Sequence, residues 1–188
     1  MKANFEKAII VTGPNQGGKT TLARAFGQCF YFGMMGLPVP AGVCKLPYCT
    51  GIFTHFSNDE GSDSLEGRLY NEIVRVGDML NGIDNRSVVI LNELFTSAPT
   101  ADALQMSRDL LKRLLSRGAI CFYVTHTFEI AFDSDDYVSL VATVVEDGSY
   151  RRTFRIVRKQ ADGVAYANSI VSKYKLDFSH INYRLRKR

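Results

Sequence analysis

The strongest chemical signal in the chain is the run Gly13-Pro14-Asn15-Gln16-Gly17-Gly18-Lys19-Thr20, which matches G-x-x-x-x-G-K-[ST] in full. Glycines at 13, 17 and 18 let the backbone turn tightly enough for its N–H groups to converge on anionic oxygens. A helix starting near Thr20 adds the positive end of its dipole. Lys19, expected to be exposed on the loop, would reach the β- and γ-phosphates of a nucleotide, and the Thr20 hydroxyl would bind Mg²⁺. The run follows a short apolar, β-branched stretch, Ala8–Thr12, and precedes a helical one, which is the context the chemistry requires.

Two further runs end in polar side chains on the side where α/β sheets bind ligands. Val88–Glu93 (VVILNE) closes on Asn92 and Glu93. A carboxylate at the first of these positions would help hold Mg²⁺. The Asn92 amide can still accept a hydrogen bond from a metal-bound water, but it has no charge, so weaker Mg²⁺ binding is expected. Glu93 keeps a carboxylate able to orient and deprotonate an attacking water; its bland alternative is an exposed turn carboxylate. Cys121–His126 (CFYVTH) places His126 at a third strand end, where an imidazole could hydrogen-bond the γ-phosphate or serve a structural role.

The elements that must carry these groups follow from periodicity. Strands are expected at Ala8–Thr12, Gly51–Phe56, Ser87–Leu91 and Ala119–Thr125, and helices at Thr20–Phe32, Ser62–Leu80 and Thr100–Ser116. The second helix has its apolar stripe at Leu65, Leu69, Ile73, Val76 and Leu80. Tyr137–Glu146 and Tyr150–Val157 flank Asp147-Gly148 as a hairpin, and a helix over Gly163–Tyr174 would close the domain. Continuous apolar strands alternating with helices predict an α/β fold of P-loop NTPase type: a mostly parallel sheet covered on both faces, with an antiparallel hairpin near the C-terminus.

Bulk properties narrow the setting. With 188 residues, 46% hydrophobic and 22% charged, the chain suits one soluble domain. It is read as a domain over residues 1–176 followed by a basic tail over 177–188. No apolar run approaches the roughly 20 residues of a membrane span, and residues 1–7 lack a secretory core, so a cytoplasmic location and no membrane partner are expected. The four cysteines, Cys29, Cys44, Cys49 and Cys121, show no metal-ligand spacing and read as reduced, mostly buried thiols. The net charge of +4 is mild. Arg151, Arg152, Arg155, Arg158 and Lys159 cluster, as do Arg184, Arg186, Lys187 and Arg188. These read as a solvated strand edge and a tail, or as a weak contact to a phosphate backbone.

Taken together, TGPNQGGKTT, GLPVPA (36–41), IFTHF (52–56) and THTFEI (125–130) resemble the ATPase domain of the MutS family, the DNA mismatch-recognition proteins related to ABC-type ATPases. The resemblance runs over about residues 8–172 in the expected order. It implies ATP and Mg²⁺ as cofactors, with Thr21 joining Gly13–Thr20 around the nucleotide. It also implies a homodimer, or a dimer with a related domain, that buries two ATP molecules and reopens on hydrolysis and loss of the γ-phosphate, with ATP and ADP as ligands and DNA contacts through regions outside this chain. The segment near Gly67–Glu72 would reach the partner's γ-phosphate. This sequence departs from the family there: Gly67 and Arg68 stand where Ser-Thr is usual ahead of the Glu. Arg68 would then supply charge in trans, with Glu72, or be a solvated helix residue. Asn92 and FTSAPTAD (95–102) depart as well, which suggests a divergent branch. Two functions follow: an ATP-hydrolysing switch, or a nucleotide-binding module that does not hydrolyse.

Overall fold

The computed structural model describes residues 8–56, 64–145 and 152–161. The expected Asp147-Gly148 turn, the closing helix over 163–174, Arg151 and the basic tail lie outside the described residues. The element order is β1 (Ala8–Thr12), α1 (Lys19–Met34), β2 (Gly51–Phe56), α2 (Leu65–Gly82), β3 (Ser87–Asn92), α3 (Thr100–Ser116), β4 (Ile120–Val124), a 3-10 turn (Phe128–Phe132), β5 (Tyr137–Val144) and β6 (Arg152–Arg158). The strands form one sheet in the order β2-β3-β4-β1-β5-β6, parallel except for β6, which runs antiparallel to β5.

Alternation along each strand explains the two covered faces. Val88 and Ile90 of β3, Val11 of β1, and Phe122 and Val124 of β4 pack with Ala23 and Phe30 of α1. Their neighbours Val89, Leu91, Ile10, Cys121 and Tyr123 pack on the other face with Val76 of α2 and Leu110, Leu111 and Leu114 of α3. A strand buried on both sides is apolar on both faces through its middle, which is why Val88–Leu91 of β3 reads as an unbroken run. A buried polar pair in this layer is satisfied: Ser107 Oγ of α3 lies 2.8 Å from Tyr123 Oη, and burial pushes that phenol up to about 12.

The sequence boundaries shift by a few residues. α2 starts at Leu65 because the Ser64 hydroxyl accepts the Gly67 N–H at 3.1 Å, an N-cap that ends the extended chain there. Its expected apolar stripe is only partly covered: Val76 is buried and Leu69 and Leu80 pack on the core, but Leu65 and Ile73 are 65% and 47% exposed. The cysteines are all free, yet only Cys49 and Cys121 are buried, while Cys44 is exposed and Cys29 lies between.

Candidate functional site

Register brings the chemistry together. Val11 of β1 is level with Val124 of β4, and Val124 is level with Asn92 of β3. These strands are parallel, so the segments that follow them leave the same edge of the sheet side by side. Backbone bonds tie the exits: Glu93 N–H donates to Val124 O at 2.9 Å, and Thr125 N–H donates to Val11 O at 3.0 Å. Loop 13–18, Glu93 and His126 therefore share one rim, although nearly the whole strand-and-helix succession separates them in sequence.

The loop folds as its glycines dictate. Gly13 has φ 113°, and a side chain there would lie 2.7 Å from Ala142 O, so only glycine lets the loop lie against β5. Gly18 takes φ 91° and caps α1 without a side-chain hydrogen bond, and the first turn of α1 carries no acidic residue. The first amides of α1 are thus left for an anionic ligand rather than for a neighbouring carboxylate. A concave space of ≈ 310 Å³ opens here, lined by Asn15, Gln16, Gly18, Lys19, Thr20, Thr21, Glu93 and Phe154.

Lys19 corrects an expectation: it is 4% exposed, not exposed. Its ammonium donates to Gly13 O at 2.9 Å and Pro14 O at 3.0 Å, so the side chain curls under the loop and holds it. Burial lowers its pKa from the ordinary lysine value; Glu93 opposes that shift and Arg152 adds to it. Beside it, Thr20 Oγ1 donates to Asn92 Oδ1 at 3.0 Å. This hydroxyl and amide oxygen form an all-oxygen pair of the hard character that Mg²⁺ prefers, with the remaining positions left to water and phosphate, so the residues present fit that ion.

Across the space, Glu93 Oε1 lies 3.0 Å from His126 Nε2, with side-chain exposures of 30% and 46%. The sequence offered these two residues separate tasks, and the structure joins them into one pair. Glu93 has φ 54°, a left-handed conformation rare for a residue with a side chain, and it turns the carboxylate out of the strand direction toward the rim.

The trans candidates diverge. Arg68 is exposed on α2. Glu72 is half-buried, and its Oε2 accepts the Phe95 N–H at 3.0 Å within the same chain.

Two residues on the rim were missed in the sequence. Arg152 Nε donates to Asn15 O at 2.8 Å, tying β6 to the loop. Phe154, 72% exposed with φ 55°, stands at the pocket wall. The β5–β6 register shifts between Ala142 and Val144. There Thr143 Oγ1 and Thr153 Oγ1 lie 2.6 Å apart, and Thr153 Oγ1 also donates to Thr143 O at 2.9 Å, so side chains replace ladder bonds and Phe154 is pushed outward. An aromatic residue between Thr153 and Arg155 in a basic strand was the only signal in the sequence.

Residues 9–176 match the family model described as MutS domain V. The chain belongs to the MutS family. It is 28% identical over 127 residues to the DNA mismatch repair protein MutS of Psychrobacter cryohalolentis, an alignment covering 68% of this chain and 12% of that protein. The chain thus corresponds to a small part of that relative. No helix among the described residues is long and apolar enough to cross a membrane, and no group of three His, Cys, Asp or Glu residues among them could hold a metal.

Proposed function

We propose that this MutS-family domain is a P-loop ATPase of the ABC-related kind, binding ATP at Gly13–Thr21 and hydrolysing it as the switch of a larger DNA-processing protein. The observation that carries this reading is Glu93, which lines the same space as Lys19 and Thr20 and lies 3.0 Å from the His126 ring. Loop amides and the start of α1 hold the phosphates, and Thr21 extends the grip. Thr20 and Asn92 would hold Mg²⁺, which would supply positive charge to offset that of the phosphates. Glu93 accepts the proton of the attacking water, while the His126 ring keeps the carboxylate in one orientation. Phe154 offers an apolar ring against which the base of the nucleotide stacks. The exposed apolar residues Leu65, Tyr70 and Ile73 of α2, beside Arg68, give that helix a surface suited to a second copy or a related domain. In a closed dimer Arg68 lies near the partner's nucleotide, ATP favours the closed state, and ADP releases it. DNA is then moved by parts of the protein outside this chain.

The neutral Asn92 supports a second reading, a nucleotide-binding module without turnover. A single-turnover assay with radiolabelled ATP and excess Mg²⁺ separates the two. For the enzyme, Glu93→Gln lowers phosphate release by about a hundredfold or more while ATP binding persists. Tight binding with no phosphate release from the wild-type protein gives the second reading.

A further inference from the structure

The turn that carries Glu93 is held in a conformation its own residues disfavour. Glu93 has φ 54° and Phe95 has φ 61°, two left-handed residues with side chains in three positions. Such a turn persists only where its surroundings over-determine it. On one side the anchor is the Glu93 N–H bonded to Val124 O at 2.9 Å. Beneath it, Leu94 and Phe95 are buried at 4% and 3% exposure, and the Ala98 N–H closes on Phe95 O at 3.1 Å. The Phe95 N–H points away from these bonds, and the group that meets it comes from a different element: Glu72 Oε2, at 3.0 Å, from the middle of α2.

We infer that Glu72 is a positioning residue which, through the Phe95 amide, sets the turn that aims Glu93 at His126 and the pocket. Its role is within the chain rather than across a dimer. The bond pairs an amide donor with a carboxylate in a partly dry setting, where such bonds are short and directional. Burial pushes the Glu72 carboxyl up, while the Phe95 N–H and Arg75 draw it down, as expected of a carboxylate held for a bond and not for solvation. Because α2 also carries Arg68 and the exposed apolar side chains, movement of this helix would reach Glu93 through a single hydrogen bond.

The inference rests on the reading of Glu93 as the base, and its test uses two readouts so that the two can fail separately. In Glu72→Ala and in Glu72→Asp, whose shorter carboxylate falls back from the amide, single-turnover hydrolysis should slow by about tenfold or more, with ATP affinity within about threefold of wild type. Glu72→Gln retains an oxygen that can accept the same N–H and should recover most of the rate. Hydrogen exchange supplies the second readout. The Phe95 amide should exchange about tenfold faster in the Ala and Asp variants and near the wild-type rate in the Gln variant, with β3 amides unchanged. Wild-type turnover in Glu72→Asp would overturn the inference, as would turnover and ATP affinity falling together, or a Gln variant as slow as the Ala variant. If the wild-type protein itself releases no phosphate, the ATPase reading falls and exchange alone decides. A Phe95 amide that exchanges at the wild-type rate in Glu72→Ala and Glu72→Asp would then sink the inference too.

Discussion

Replacing Lys19 by alanine should have two separable effects, because its ammonium already has work before any ligand arrives. It donates to Gly13 O at 2.9 Å and Pro14 O at 3.0 Å from a position 4% exposed. Hydrogen bonds from a charged donor contribute about 1.5–3 kcal/mol each. Removing a buried cation also relieves its desolvation, the main cause of its lowered pKa, so we take a net loss of about 2 kcal/mol. For a chain of this size each kcal/mol moves the melting temperature by about 2–4 °C, so Tm should fall by about 4–8 °C. The second effect is on the nucleotide. One unit charge about 4 Å from a phosphate oxygen contributes about 4 kcal/mol at an effective dielectric near 20, and ATP affinity should drop by roughly a hundred- to a thousandfold. Differential scanning fluorimetry reads the first effect and isothermal titration with a slowly hydrolysed ATP analogue the second. Lys19→Met, which restores the apolar stem, should recover part of the melting temperature and none of the affinity. An unchanged Tm would refute the structural role of the ammonium, and an affinity within threefold of wild type would refute the assignment of the loop as the phosphate site.

Phe154→Ala should weaken ATP by about tenfold or more yet leave inorganic tripolyphosphate binding unaltered, since only ATP has a base to stack; equal losses for both ligands would remove Phe154 from the base site. Asn92→Asp should tighten Mg²⁺ in the presence of ADP by about tenfold, and lower Tm without Mg²⁺, because a carboxylate would then sit 6% exposed beside the Thr20 hydroxyl. A magnesium titration followed by thermal shift checks both, and an indifferent response argues against Asn92 as a metal neighbour. Burial pushes the Cys121 thiol up to about 12, so iodoacetamide should label exposed Cys44 first and reach Cys121 only in denaturant. Peptide mass spectrometry over a time course would show a contrary order.

What could be read from the sequence was local. Apolar runs buried on two faces announce themselves residue by residue, so β1, β3 and β4 and the polar residues that close them, Asn92, Glu93 and His126, were legible. So was the glycine-rich loop, whose function depends on consecutive residues. The remainder depends on what lies opposite, and one-dimensional spacing carries no such record. Lys19 looked like a free charge until the carbonyls of Gly13 and Pro14 were seen beneath it. Glu72 was expected to reach a partner's nucleotide, and spacing gave no sign of its bond to the Phe95 amide of the same chain. Phe154 becomes a pocket residue only because the β5–β6 register slips beside it. Leu65 and Ile73 kept helical spacing with the core yet remained uncovered, since periodicity fixes a face and not how much of it a neighbour reaches.

The bond from Arg152 to Asn15 spans 137 positions of chain. As the polypeptide leaves the ribosome, the turn around Asn15 can bend early, from its own residues, but the strand that buttresses it follows 137 residues later. Between those moments the newborn chain holds the glycine-rich loop with one wall absent. On the proposed reading, full-strength capture of a nucleotide therefore waits for that strand, and ATP would act as a late seal on folding rather than an early template for it.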